Sequence, residues 1–336
     1  MILSAPGNSC SPILAAENLS VHFPLGRHGE TLKAVDGVSF KVARGEIFGL
    51  IGESGSGKST LGRALVCLQR LSGGILRHHE RDPFSLSRSA LRRHRRSFQM
   101  VFQDPHAALN PRQTIGASLH EPLDIAGEGT PATRAARVSS LLDAVELPTS
   151  LLNSHPHELS GGQKQRVNIA RALALSPALL VCDEIVSALD PSVQAGILNL
   201  LIDLQRQFNL SLIFITHDLS VVGHIADRIA VMYLGRLMEF GPAEALMAVP
   251  LHPYTAALLD AEPRFTTSKR SRPRALTGEM PSPVAPPSGC RFRSRCPEAD
   301  AGCAAAPPEW RELAPGHFVA CHYAKPRPIS AETRGG

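Results

Sequence analysis

Residues 46–60 read Glu46-Ile47-Phe48-Gly49-Leu50-Ile51-Gly52-Glu53-Ser54-Gly55-Ser56-Gly57-Lys58-Ser59-Thr60. The first six make a mostly apolar run of strand length, and Gly52 to Ser59 fit G-x-x-x-x-G-K-[ST], with a helix expected to begin near Lys58. Strand, glycine-rich loop and helix, in that order, form the context in which this pattern carries chemistry. The glycines let the backbone curl so that successive N–H groups point inward at an anion. The helix N-terminus adds partial positive charge. Lys58 supplies a cation for the β- and γ-phosphates of a nucleotide, and the Ser59 hydroxyl is placed to ligate Mg²⁺. A structural glycine turn with a chance lysine is the bland alternative, and it leaves the flanking strand and helix unexplained. Alone, the loop says only that nucleotide phosphates bind.

Outward from the loop, strand and helix signals alternate. Leu19, Val21 and Phe23 alternate upstream, as do Val38, Phe40 and Val42. Downstream, Leu179 to Cys182 reads as a buried strand and Leu210 to Thr216 as another. Val193, Ile197, Leu200, Leu201, Leu204 and Phe208 share a helical face between them. Such alternation implies an α/β fold with a mainly parallel sheet. From about Gln113 to Leu175 strand signals are absent, and Val138, Leu141, Leu142 and Val145 mark an amphipathic helix, so a helical subdomain is inserted there.

The chain has 336 residues, 43% of them hydrophobic and 19% charged, which predicts a packed core and not disorder. A net charge of +5 suits an anionic ligand or a membrane-proximal surface without singling out nucleic acid. Arg88, Arg92, Arg93, Arg95 and Arg96 lack interleaved aromatics for base stacking and read as a solvated helix end, so no nucleic-acid partner is expected. No run approaches the ~20 apolar residues of a membrane span. Residues 1–16 lack the basic and apolar regions of a secretory signal and are expected to be a loose leader. Residues 263–289 are rich in Pro, Arg and Ser and read as a linker.

Further motifs follow the loop in a fixed order. Phe102-Gln103-Asp104-Pro105 comes first, then Leu159-Ser160-Gly161-Gly162-Gln163. Asp183-Glu184 ends the strand after that, followed by Ser187-Ala188-Leu189-Asp190 and then Thr216-His217-Asp218. Over about residues 17 to 325 this series resembles the nucleotide-binding subunits of ABC transporters. The resemblance implies a P-loop NTPase of the ABC ATPase type: a mainly parallel sheet core, an antiparallel β subdomain, an inserted helical subdomain and a small cysteine-containing C-terminal extension. The boundaries expected are a leader 1–16, a nucleotide-binding domain 17–262 with the helical subdomain at about 113–175, a linker 263–289, a cysteine domain 290–325 and a tail 326–336.

The resemblance also implies roles. ATP would be held by Gly52, Glu53, Ser54, Gly55, Ser56, Gly57, Lys58, Ser59 and Thr60. Ser59, Gln103 and Asp183 would serve Mg²⁺. Glu184 would polarise the attacking water as general base. His217 would contact the γ-phosphate, and Asp190 would communicate across a dimer. Ser160, Gly161, Gly162 and Gln163, at a helix start, would close over ATP bound to a partner chain. Phe23 is placed to stack on adenine, or is simply the inward residue of an edge strand. The family follows Asp-Glu with Pro-Thr; here stand Ile185-Val186, which alters the loop after Glu184 without removing the base.

Within that family, Leu109-Asn110-Pro111-Arg112, His252-Pro253-Tyr254-Thr255 and Gly278-Glu279-Met280-Pro281-Ser282-Pro283 resemble the oligopeptide/dipeptide importer ATPases, and specifically their second, F-type subunit. That implies a heterodimer with a different ATPase and two transmembrane permeases, fed by an external substrate-binding protein. The chain would sit at the cytoplasmic face of a bacterial inner membrane. Peptide is the expected cargo, with nickel complexes, glutathione or haem as alternatives. Ribosome- or DNA-acting ABC ATPases would carry a second ATPase unit or a long coiled-coil insertion, which this chain lacks, and the His-Pro-Tyr-Thr and cysteine segments argue against an exporter; a regulatory binding module of little turnover is the third, weaker alternative.

Cys290, Cys296, Cys303 and Cys321 fall within 32 residues. In a reducing compartment a clustered set reads first as a metal site. Gaps of five and six residues are wider than those of typical zinc sites and favour a 4Fe-4S cluster over Zn²⁺. His322 is an alternative ligand, and four buried small hydrophobes the remaining reading.

Overall fold

In the computed structural model the described residues are 11–26, 29–127, 129–261 and 278–327. Residues 1–10 of the expected leader, 263–277 of the linker and 328–336 of the tail lie outside them. The chain divides into two compact units, one of Met1–Ala43, Ile47–Arg81 and Ile215–Gly336, the other of Arg44–Glu46 and Asp82–Phe214.

In the first unit, β1 (Leu14–Leu25), β2 (Glu30–Val42) and β4 (Gly73–His78) form an antiparallel sheet in the order β2-β1-β4. The strand β1 begins at Leu14, inside the stretch expected to be a leader, because Leu14 pairs with Val42 on one side and His78 on the other. Its buried face switches parity along its length. Leu14 and Ala16 are buried, then Leu19 and Val21. The switch falls where the register slips between Ala16 and Leu19, with Asn18 left-handed at φ 51.

The strand β3 (Ile47–Ile51) is buried at every residue and pairs in parallel with β8 (Arg228–Tyr233). A continuous apolar run is what a strand covered on both faces requires. The antiparallel β9 (Arg236–Pro242) follows β8. β10 (Trp310–Ala314) and β11 (His317–Ala320) form a hairpin, and β11 pairs with β9 through Phe318 opposite Phe240. The C-terminal extension thus adds strands to the same unit that carries the phosphate loop.

In the second unit, β5 (Phe98–Val101) pairs in parallel with β6 (Leu179–Asp183), Val101 facing Cys182. The strand β7 (Ser211–Thr216) begins here and crosses the unit boundary. Among the described residues between Gln113 and Leu175 there is no strand, as the sequence predicts; helices span Ile115–Ala126, Pro131–Ala144 and Gly161–Leu173. Val138, Leu141 and Leu142 form the buried stripe of the second of these. Helix Pro191–Phe208 buries Ile197, Leu200, Leu201 and Leu204 and ends on Asn209 at φ 51, a left-handed cap. Arg88, Arg92 and Arg93 lie on the short helix Arg88–His94, none of whose residues is buried, in keeping with a solvated helix end.

Candidate functional site

The phosphate loop turns on three left-handed glycines, Gly52 at φ 153, Gly55 at φ 79 and Gly57 at φ 103. Two of them have no room for a side chain. A Cβ on Gly52 would stand 2.1 Å from the Met232 carbonyl oxygen, and one on Gly57 would stand 2.0 Å from that of Ala34. Gly55 faces open space. Helix Lys58–Leu65 starts directly at Gly57.

Lys58 is buried, and its Nζ donates to the Gly52 carbonyl at 2.7 Å and the Glu53 carbonyl at 2.9 Å. Its ammonium therefore stands over the curl of the loop, where an anion held by the backbone N–H groups would meet it. Ser54 and Gly55 are exposed at the loop tip, Ser56 is buried, and Ser59 and Thr60 lie in the first turn of the helix. Phe23, half-buried, lies opposite Leu32 near the end of β1.

In the second unit, Asp183 ends the buried strand β6 and is itself buried. Glu184 follows in a left-handed conformation at φ 48, unusual for a residue with a side chain. Gln103 Nε2 donates to Glu184 Oε2 at 3.1 Å, joining two residues that the sequence separates by 81 positions. Ser187 Oγ donates to the Glu184 carbonyl at 2.9 Å. Strain held by surrounding contacts is characteristic of functional positions. Ile185 and Val186, which follow Glu184, are both buried.

Ser160 caps helix Gly161–Leu173. Its Oγ accepts from the Gln163 N–H at 3.3 Å, and Gln163 Oε1 accepts from the Ser160 N–H at 2.9 Å. Ser160 is exposed, while a Cβ on Gly162 would meet Val193 Cγ1 at 2.7 Å. Asp190 is the N-cap residue of helix Pro191–Phe208. His217, in the first unit, is exposed just past β7. The hydroxyl of Ser59 and the carboxylate of Asp183 are hard oxygen donors of the kind Mg²⁺ takes.

Cys290, Cys296, Cys303 and Cys321 form no disulfide and line one small pocket together with Phe292 and Tyr323. Burial pushes the Cys290 thiol up to about 11 and also raises Cys296 and Cys321, with the other thiols of the set adding to each shift. The Cys290 N–H donates to the Cys303 carbonyl at 2.8 Å. The donor set suits a four-thiolate group in kind and number. As the side chains stand, no three His, Cys, Asp or Glu among the described residues are arranged to hold a metal ion.

Some residues around the loop carried no signal in the sequence. Arg295 forms a two-pronged ion pair with the Glu53 carboxylate, Nη1 to Oε2 at 2.5 Å and Nη2 to Oε1 at 3.1 Å. Arg291 pairs with Asp36. Both arginines sit in the stretch between Cys290 and Cys296, and nothing local names a partner more than 200 residues away.

A buried parallel strand feeding a loop of obligatory glycines, with a lysine at its centre and a helix behind it, defines a nucleotide-binding protein of the phosphate-loop class. Residues 35–187 match the family model described as ABC transporter, and residues 238–303 match that described as oligopeptide/dipeptide transporter, C-terminal region. A putative peptide import ATP-binding protein of Brucella ovis is 50% identical over 93% of this chain and 98% of its own length. The oligopeptide transport ATP-binding protein AppF of Bacillus subtilis is 47% identical over 92% of this chain and 97% of its own. Among solved structures, the ATP-binding cassette MJ0796, a dimer in a post-hydrolysis state bound to ADP and Pi, superposes with a TM-score of 0.62 at 29% identity over 69% of this chain and 99% of its own. The chain belongs to the ABC transporter ATPases, in the branch that carries the oligopeptide/dipeptide transporter C-terminal region.

Proposed function

We propose that this chain binds and hydrolyses ATP to energise uptake of di- or oligopeptides through a membrane transporter. The observation that carries the reading is likeness at about half identity along nearly the whole length of peptide-import ATP-binding proteins, C-terminal region included. None of the described helices is long and apolar enough to cross a membrane, so the reading assigns the crossing to two permease subunits. A second, different ATPase of the same family completes the engine, an external binding protein delivers the peptide, and the chain works at the cytoplasmic face of the membrane. The alternative cargoes gain no support from the relatives' names.

In this reading the N–H groups of Gly52 to Thr60 cradle the phosphates, and Lys58 neutralises the β/γ bridge. Mg²⁺, when bound, would be held by Ser59 and, less directly, by Asp183 and Gln103, and supplies charge neutralisation at the β- and γ-oxygens. Glu184 orients the attacking water and takes its proton as the bond to the γ-phosphorus forms and the bond from that phosphorus to the bridging oxygen breaks, so that ADP leaves with the bridging oxygen and phosphate is released. The 3.1 Å hydrogen bond from Gln103 supports this by fixing the Glu184 carboxylate. His217 meets the γ-phosphate, and Phe23 stacks on the adenine. Ser160, Gly161, Gly162 and Gln163 offer their helix N-terminus to the partner's nucleotide, with Asp190 beside the dimer seam.

Glu184→Gln keeps the shape and removes the base. Steady-state phosphate release should fall at least a hundredfold while ATP binding survives, within the range general bases contribute. Turnover near wild type would sink the assignment.

The four cysteines are assigned to a 4Fe-4S cluster, with Zn²⁺ as the alternative ligand of the same thiols; their shared cavity supports the grouping. Protein purified without oxygen should be brown and carry about four irons per chain. Zinc at one per chain in colourless protein would select the alternative.

A further inference from the structure

The extension that carries the cysteines also reaches the phosphate loop. Glu53 is the second residue of that loop, and Arg295 grips both its carboxylate oxygens. The Arg295 side chain is 5% exposed, that of Glu53 27%. A planar guanidinium meeting a carboxylate through two parallel bonds fixes direction as well as distance. Arg295 is in turn held from behind. Its guanidinium carbon lies 5.9 Å from the Tyr233 ring centre, and its backbone N–H donates to the Phe292 carbonyl at 3.0 Å.

Tyr233, Tyr254 and Phe292 pack as a buried trio, with ring centres 4.8 to 5.4 Å apart. Tyr254 then touches the loop itself, its Oη accepting from the Glu53 N–H at 2.9 Å. Side chain and backbone of one loop residue are thus both tied to the C-terminal part of the chain.

A second tie reaches the far arm of the loop. Arg291, 4% exposed at its side chain, pairs with Asp36 and donates to the Leu234 carbonyl. The Asp36 N–H donates to the Gly235 carbonyl at 2.8 Å, and the Gly235 N–H donates to the Ser56 carbonyl at 2.8 Å. Glu53 and Ser56 are bound to each other by the Ser56 N–H at 3.2 Å from the Glu53 carbonyl. The curl that would face phosphate is braced at both ends by arginines four residues apart.

We propose that Arg295 is a positioning residue for ATP binding: it holds the Glu53 carboxylate away from the phosphate cradle and neutralises it, so that the loop can accept a triphosphate. The proposal rests on the reading of this loop as the ATP phosphate site. An acidic side chain within a phosphate loop is a liability by Coulomb's law, since it repels the ligand the loop is shaped to hold. With Arg295 opposite, the pair is neutral and its geometry set. Without Arg295, the carboxylate is free to swing toward the anion.

The test uses the full-length chain and its Arg295→Ala, Arg295→Lys, Glu53→Gln and doubly substituted Glu53→Gln/Arg295→Ala forms, read by binding of a fluorescent ATP analogue and by kcat and KM for ATP. Arg295→Ala should weaken binding and raise KM by about tenfold, the scale of one lost charged hydrogen-bonded pair, with kcat changed less than about threefold. The double substitution should recover most of that loss, because no unpaired carboxylate remains. A merely structural arginine would lower the melting temperature without the KM-against-kcat split and without rescue. Should Arg295→Ala not fold, Arg295→Lys should show an intermediate loss and Glu53→Gln should bind at least as tightly as wild type. Arg295→Ala or Arg295→Lys binding within twofold of wild type would overturn the proposal, as would a double variant as weak as the single one or a Glu53→Gln form about tenfold weaker. Wild-type protein that binds no ATP would instead overturn the assignment of the loop.

Discussion

Gly57 and Gly55 stand two residues apart in one loop, yet they answer to different constraints. At Gly57 a left-handed φ coincides with the Ala34 carbonyl 2.0 Å from any added Cβ, so both strain and collision forbid a side chain. At Gly55 only the left-handed φ applies. Gly57→Ala should therefore cost several times more than Gly55→Ala, for which about 1 kcal/mol is expected from conformation alone. Denaturant melts of the two variants check this, and equal losses would contradict it. The sequence pattern marks both glycines as loop formers but cannot rank them, because the carbonyl that makes the difference comes from β2. Glu184 is similar. Its chemistry is legible from the acidic pair Asp183-Glu184, while its φ of 48 and its bond to Gln103 arise only when strands β5 and β6 lie side by side.

Among the elements, those with a strong period were legible and those defined by pairing were not. The runs Ile47–Ile51 and Leu179–Cys182 read as buried strands because apolar residues are continuous, and both are buried throughout. The start of β1 at Leu14 was not legible, since Leu14 to Ala16 owe their strand to partners in β2 and β4, and the slip at Asn18 breaks the alternation that would have betrayed them. Helix Gly161–Leu173 was read from its motif, and its cap explains why serine and glutamine stand three apart at its start. Ser160→Ala removes the hydroxyl acceptor and should cost about 1 kcal/mol of stability, the usual worth of a cap. A thermal melt with no shift would show that the Gln163 half of the box suffices.

For the molecule as a whole, the sequence suggests a nucleotide-binding domain, a linker and a small C-terminal cysteine-containing extension. The extension pairs β11 with β9 and sends Arg291 and Arg295 to Asp36 and Glu53, so it belongs physically to the unit that holds the phosphate loop. Contacts spanning more than 200 residues leave no local trace, so the thiols are legible from their spacing and the arginines between them are not. Removing residues 290–327 should accordingly cost ATP affinity as well as stability, a prediction that equilibrium nucleotide binding by the truncated chain checks.

The central claim is that ATP bound at this loop drives peptide uptake. It is tested most directly by measuring accumulation of a radiolabelled oligopeptide in cells whose own copy of the gene carries Lys58→Ala. Uptake should fall to the level of a deletion strain while the protein is still made. Uptake equal to wild type from a chain that lacks the loop lysine would contradict the account.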